Sequence, residues 1–192
     1  MGWGEVMGEL EEKVERTLKG EYSPPDGVPF FYLPYPPEQE REALREFRLL
    51  AERLERRGLR VAILSISQLL CEFLAERLGC PEGEVVECLT REEREQDRKV
   101  FGERISRVLE REFARMVAGR IREAMPGKGV CILVRTGALY PFRDILPLAS
   151  SLVNEVDCVL VIAHPGRRVG EFLDRTSGGV EPFFRGEEIR WR

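Results

Sequence analysis

The chain has 192 residues and a net charge of −4, so no overall positive field draws it to nucleic acid or to an anionic membrane. A chain of this length fits one domain and buries roughly 70% of its unfolded surface, which removes the need for disulfides or a structural metal. Arginine supplies 26 of the 30 basic residues. This bias offers bidentate contacts to carboxylates or phosphates, although interleaving with glutamate favours ordinary solvated helix faces.

The cysteines indicate a reducing compartment. Cys71, Cys80, Cys88, Cys131 and Cys158 form no CxxC pair, so we predict neither a zinc site nor any other metal or cofactor. Their odd number, without a secretory signal at the start of the sequence, predicts a cytoplasmic location. No apolar run approaches the about 20 residues that span a bilayer, so no membrane partner is expected.

The first predicted element is an amphipathic helix over residues 2–19, followed by a breaker-rich linker. Its apolar residues recur every three or four positions: Trp3, Met7, Leu10, Val14 and Leu18. We therefore divide the chain into residues 1–27, helix and linker, and residues 28–192, an α/β domain. Docking of the apolar stripe on the chain's own domain is favoured over docking on a partner, because most such stripes form core.

Strands and helices then alternate along the chain. The predicted elements are a strand over 28–33 stopped by the prolines at 34–37, a helix over 38–57, a strand over 60–64, a helix over 68–78 with Ser67 as N-cap, a bent or split helical region from Thr90 to about 125, a strand over 130–135, a helix over 141–154, a strand over 158–163, and short tail strands at 180–184 and 189–191. The strands are uninterrupted apolar runs, which are typical of strands buried on both faces.

This order predicts the fold class. Alternating strands and helices indicate an α/β single domain with a mostly parallel sheet of about four to five strands, helices on both faces, and the additional N-terminal helix. Parallel strands deliver the turns that follow them to one edge of the sheet, so we expect Arg135, Thr136, Gly137 and His164 at a common edge.

His164 is the only histidine and admits two interpretations. It is a general base or anion contact with Arg135 as its charge partner, or it hydrogen-bonds a backbone group in a tight turn. The second interpretation is favoured, because no nucleophile or acid pair stands at catalytic spacing. The candidate ligand or partner contacts are Arg135, Thr136, Gly137, Tyr140, Phe142, Arg143, His164 and Arg167.

Three enzyme signatures are missing from the sequence. It contains no GxxxxGK[ST] loop, no GxGxxG and no GxSxG. These omissions disfavour a conventional ATPase, a dinucleotide enzyme and a serine hydrolase. A degenerate nucleotide- or phosphate-binding domain at the sheet edge, with Arg135 or Arg167 beside the ligand, stays open, as does a small hydrolase that uses His164.

Two segments carry a resemblance to a known family. Residues 136–143, Thr-Gly-Ala-Leu-Tyr-Pro-Phe-Arg, resemble the G-x-x-YPF-R signature of BrxB, a small component of the BREX bacteriophage-defence systems. Residues 163–166, Ala-His-Pro-Gly, resemble the family's strand followed by a Pro-Gly turn. Residues 58–66 also agree, and the resemblance extends in order over about residues 28–190.

The resemblance implies an accessory protein that supports host-DNA modification and phage exclusion by binding other BREX components. It implies no catalytic residue and no enzymatic activity of the chain's own. The expected direct partner is the alkaline-phosphatase-like PglZ protein, and direct nucleic-acid binding is not indicated. Tyr140, Pro141 and Phe142 are interpreted as a rigid aromatic corner that packs a helix on the sheet and shapes a docking surface.

Overall fold

A computed structural model describes residues 2–140, 142, 144–166 and 185–190 of the chain. Its strands are β1 (Phe30–Tyr35), β2 (Val61–Ser65), β3 (Val130–Val134), β4 (Val159–Pro165) and β5 (Glu187–Glu188). Its helices are α1 (Trp3–Leu18), α2 (Glu40–Arg56), α3 (Ile66–Leu78), α4 (Val85–Glu95), α5 (Arg98–Val108), α6 (Ala114–Ala124) and α7 (Ile145–Leu152).

The predicted fold class is confirmed. The five strands form one parallel sheet in the order β2-β3-β4-β1-β5, and helices cover both faces. Successive strand residues point to opposite faces, so β4 sends Val161 and Ala163 toward α1 and α2, and Leu160 and Ile162 toward α3 to α7. The core is therefore two apolar layers, one on each side of the sheet.

The N-terminal helix packs on the sheet face that α2 also covers. Its buried side chains Val6, Met7, Leu10 and Val14 belong to the same apolar layer as α2. The apolar stripe of α1 thus contributes to the core of its own chain. None of the described helices is both long enough and apolar enough to cross a membrane.

The prediction that the prolines at 34–37 end the first strand is wrong, since Pro34 lies inside β1. Tyr32 of β1 accepts a hydrogen bond from the Ile189 N–H (2.8 Å) on the side of β5. Pro34, two residues later, faces the same side, but β5 pairs only as far as Glu188, opposite Tyr32. The N–H that proline lacks would therefore point past the end of β5, and the described ladder loses no bond.

Two predicted helix starts are also wrong. The N-cap of α3 is Ser65 rather than Ser67, because β2 runs directly into the helix and the Ser65 Oγ accepts from the Gln68 N–H (3.4 Å). Thr90 lies inside α4, where its hydroxyl donates to the Val86 carbonyl (2.7 Å) instead of capping a helix.

The long helical region before β3 is split, one of the two forms predicted. Asp97 caps α5 by accepting from the Lys99 N–H (2.9 Å). A π-helical turn over Leu109–Phe113 joins α5 to α6, and such a turn bends the helix path over the sheet.

The last elements differ from their predicted bounds as well. The helix predicted over 141–154 begins at Ile145, because Asp144 caps it by accepting from the Leu146 N–H (3.0 Å). β4 extends beyond 163 to include His164 and Pro165. The tail strand includes Glu187–Glu188, whereas Ile189 and Arg190 of the strand predicted over 189–191 lie outside it. Residue 191 and the strand predicted at 180–184 fall outside the described residues.

Candidate functional site

At the carboxyl edge of the sheet, the chain leaves neighbouring strands toward opposite faces. β4 lies between β3 and β1. The helix that follows β3 covers one face of the sheet, whereas the helix that follows β1 covers the other. In open α/β sheets, ligands bind outside the carboxyl ends of strands at such a switch point. The end of β4, at His164 and Pro165, occupies this position.

The turn after β3 is anchored on the end of β4. The Thr136 hydroxyl, which is buried, donates to the Ala163 carbonyl (2.7 Å). A Cβ on Gly137 would stand 2.7 Å from the Cγ of Pro165, so only glycine lets the turn approach this closely. Thr136 and Gly137 therefore fix the position of the turn. The backbone of Arg135 is fixed as well, because it directly precedes these two residues.

Arg135 has a backbone conformation that L-residues rarely adopt. Its φ is +57° and its ψ +36°, the left-handed region, and it is the one described non-glycine residue with positive φ. This conformation costs a non-glycine residue about 1 to 2 kcal/mol. Strain of this kind concentrates at functional positions. The guanidinium of Arg135 is exposed at the sheet edge.

The Arg135 side chain faces α2, and together they line an open groove of about 680 Å³. The charged residues of this arginine groove are Arg41, Arg45, Arg48, Arg135, Glu38 and Glu42. Arg45 is paired with Glu42 (3.1 Å) and with Glu46. The side chains of Arg41, Arg48 and Arg135 form no hydrogen bond or ion pair with a described residue. The groove thus presents net positive charge on a chain whose net charge is −4.

A buried tyrosine, Tyr35, lies within range of the charge of Arg135. The Tyr35 hydroxyl donates to the Glu40 carboxylate. Burial raises the pKa of Tyr35, the hydrogen bond to Glu40 raises it further, and the positive charge of Arg135 lowers it. The positive charge of Arg135 therefore acts on the Tyr35 hydroxyl, which is bonded to Glu40 in the first turn of α2.

His164 lies on the opposite face of the sheet, where it belongs to a second group that we call the histidine cluster. The charges of Asp144, at the N-cap of α7, and Glu188, on β5, both act on His164. Tyr32 of β1 completes the cluster, since it is opposite Glu188 in the sheet and is also affected by Asp144. His164 is 6% exposed, and neither ring nitrogen has a hydrogen-bond partner among the described residues. Burial lowers the pKa of His164, while the negative charges of Asp144 and Glu188 raise it.

Both interpretations of His164 made from the sequence need correction. Arg135 is not its charge partner, because the Arg135 side chain lines the groove beside α2, on the other face of the sheet from His164. Arg135 lies just beyond β3, and its left-handed backbone conformation ends the alternation that would have placed it on the face of His164. The favoured hydrogen bond to a backbone group is also not formed with any described residue. His164 and Thr136 do share the carboxyl edge, as predicted, and both are buried.

The aromatic segment after this turn divides between core and surface. Phe142 packs edge-on against Phe101 of α5, with ring centroids 6.3 Å apart. Tyr140 is 69% exposed, so it does not pack a helix on the sheet as the aromatic-corner hypothesis required. Arg143 and Arg167, two further predicted contacts, lie outside the described residues.

Sequence reasoning missed the residues that complete each group. Arg41, Arg45 and Arg48 carried a signal, since their spacing of four and three places them on one face of α2. Tyr32 and Glu188 carried none, because the pairing of β5 with β1 brings together residues far apart in the sequence. Within the described residues, no group of three or more His, Cys, Asp or Glu side chains is arranged to hold a metal ion.

The two groups differ in what they offer chemically. The arginine groove is an open site whose guanidinium groups suit carboxylates or phosphates. The histidine cluster is a closed site, in which a buried imidazole lies near two negatively charged carboxylates. No protein family, no curated protein and no solved structure matches this chain.

Proposed function

We propose that the chain is a non-catalytic accessory component of a BREX phage-defence complex, which supports DNA modification and phage exclusion by binding other BREX proteins. The PglZ-like protein is the proposed direct partner. The two segments that resemble BrxB support this proposal because they are in contact: Thr136 and Gly137 pack on Ala163 and Pro165. These four residues of the two segments therefore form one structural unit at the carboxyl edge of the sheet.

The arginine groove is the feature of the structure that most strongly supports a binding role. Arg41, Arg48 and Arg135 present guanidinium groups that no described residue pairs with, in a groove of about 680 Å³. A hydrogen bond to a charged group contributes about 1.5 to 3 kcal/mol when it forms. An acidic surface of a partner protein would supply such bonds and would be attracted to this part of an otherwise acidic chain.

A pull-down tests the proposal. The tagged chain is purified from cells that carry its neighbouring genes, and co-purifying BREX proteins are identified and quantified. We expect the PglZ-like protein with the wild type, and at least ten-fold less of it with the double substitution Arg41→Glu and Arg48→Glu. The matched control is Arg111→Glu with Arg115→Glu, which changes the same charge at exposed arginines on the other face. Recovery of no BREX component with the wild type would contradict the proposal.

A phosphate-bearing ligand is the second candidate, favoured because the same groove is lined by residues that follow β1 and β3, the two strands on either side of β4 at the switch point. Guanidinium groups bind phosphate oxygens as readily as carboxylates. Calorimetric titration with ATP, GTP and cyclic nucleotides separates the two functions. A saturable heat that the Arg41→Glu, Arg48→Glu variant loses would favour the ligand, whereas a flat titration removes this candidate.

A further inference from the structure

The strand β2 is an open edge of the sheet. It pairs with β3 on one side, and the strand order places no described strand on its other side. Its residues are partly exposed, with Ile63 at 38%, whereas every residue of β3 is buried. The sequence of β2, Val-Ala-Ile-Leu-Ser, contains no charge and no proline. Charged residues and prolines are two of the features by which proteins prevent a strand edge from pairing with another chain. β2 has neither, so in this respect its edge is unprotected.

The backbone groups that point outward from β2 can be assigned. The Arg60 carbonyl accepts from the Val130 N–H (2.9 Å), so even-numbered residues of β2 direct their backbone groups toward β3. Val61 and Ile63 consequently direct their N–H and C=O groups away from the sheet. An added strand would find two complete donor–acceptor positions there.

Cavities lie beside this edge on both faces of the sheet. On the α2 face a cavity of about 160 Å³ is lined by Ile63, Leu44, Phe47 and Val134, and also by the charged residues Arg48 and Arg135. On the other face a cavity of about 410 Å³ lies between Ile63 and the helices α3 and α6. Side chains of an added strand alternate between faces, so both cavities would receive them.

The charges at this edge indicate what the added strand must carry. Arg48 and Arg135 line both the smaller cavity and the arginine groove, and neither is paired with a described residue. They lie near the carboxyl end of β2, whose last residue, Ser65, also lines the smaller cavity. A carboxylate that follows an apolar side chain would meet these two guanidinium groups directly.

We propose that β2 accepts an extended segment of a partner protein as a sixth strand, with an apolar side chain in the smaller cavity and a carboxylate beside Arg48 and Arg135. This inference rests on the proposed partner-binding function and specifies its surface. Strand addition gives affinity through the main chain and specificity through pockets for alternate side chains. A second copy of the chain fits less well, because antiparallel pairing of two β2 strands would bring Arg135 of one copy toward Arg60 of the other.

Selection of displayed peptides tests the binding chemistry without assuming any partner. Random dodecapeptides are displayed in two formats, one with a free C-terminus and one with the C-terminus fused, and are panned against the full chain. We expect enrichment of peptides with apolar residues at alternate positions and a carboxylate at one end. Enrichment only in the free format identifies a terminal carboxylate, and enrichment in both identifies Asp or Glu side chains. No enrichment in either format would overturn the proposal.

Four variants then locate the binding on β2. Ile63→Pro removes one outward N–H without touching the bonds to β3, and should weaken the selected peptides at least ten-fold. Ile63→Thr keeps the N–H and should bind within about three-fold of the wild type. Arg135→Gly should weaken binding at least ten-fold. Arg56→Ala should not weaken it, because Arg56 is an exposed arginine about two turns beyond Arg48 on α2.

The outcomes separate this inference from the proposed function. If BREX proteins co-purify equally with Ile63→Pro and with the wild type, the docking surface is wrong and the function stands. If peptides bind at β2 but no BREX protein co-purifies, the surface stands and the function is wrong. Light scattering at high concentration detects a dimer, and a dimer that Ile63→Pro abolishes would replace the partner segment with a second copy.

Discussion

Gly137 and Pro165 are in such close approach that a Cβ on the glycine would stand 2.7 Å from the proline Cγ. This contact joins the turn after β3 to the last residue of β4. Because the turn also directs Arg135 into the arginine groove, the contact couples the packing of the sheet edge to the position of a candidate binding residue.

Gly137→Ala should therefore destabilise the fold by about 1 to 3 kcal/mol, the usual cost of forcing an extra methyl group into a packed contact. The measurement is urea unfolding followed by circular dichroism. Gly119→Ala is the control, because a Cβ at this position of α6 meets nothing within 4 Å. That change should stabilise the helix by about 0.5 to 1 kcal/mol, and a Gly137→Ala protein as stable as the wild type would contradict the packing argument.

Arg135→Gly should be more stable than Arg135→Ala by about 1 kcal/mol. Both changes remove the guanidinium, but only glycine adopts the positive φ of +57° without cost. At an ordinary position the order is reversed, since glycine loses more conformational entropy on folding. Urea unfolding of the two variants decides the matter, and an alanine variant of equal or greater stability would show that position 135 is unstrained.

His164 should make the fold less stable in mild acid. Its pKa is lowered below the usual 6.5, chiefly by burial, so the unfolded chain binds its proton more readily than the folded chain does. The stability that the neutral imidazole contributes is complete above pH 6.5 and declines as the pH falls from 6.5 to the lowered pKa.

The variant His164→Gln isolates this contribution, because His164 is the only histidine. The free energy of unfolding is measured for both proteins between pH 5 and pH 8. We expect the wild type to lose stability relative to the variant as the pH falls below 6.5. Parallel curves across this range would mean that the histidine titrates alike in both states.

Glu11 should anchor α1 on α2. It is 7% exposed and lies 2.6 Å from the Arg53 Nε and 2.8 Å from the Arg57 Nη2. Glu11→Ala should cost about 2 to 3 kcal/mol, less than the loss at a fully buried pair, because Arg57 is 54% exposed. The neighbouring Glu12→Ala, at a carboxylate that is 68% exposed, should change stability by less than about 0.5 kcal/mol. Equal effects in urea unfolding would refute the anchoring role.

Local patterns account for the parts of the fold that were predicted correctly. The run Val-Cys-Ile-Leu-Val at 130–134 indicates a buried strand, because no polar residue interrupts it. β3 covers this run and ends one residue before the predicted bound at 135. The missed end of the first strand depended on a contact outside the segment concerned. Pro34 stays within β1 only because β5 ends beside it, and a local pattern contains no information on where another strand ends.

The sequence by itself determined the alternation of strands and helices, and hence that Arg135 and His164 would meet at one edge of a parallel sheet. Only the tertiary structure decided that the two residues serve different groups. The left-handed backbone of Arg135, just beyond β3, directs its side chain to the arginines of α2. Strand alternation and strand order place His164 on the other face, near Asp144 and Glu188. The physical reason is that periodicity is a local property of the chain, whereas the neighbours of a side chain depend on which distant strands and helices pack beside it.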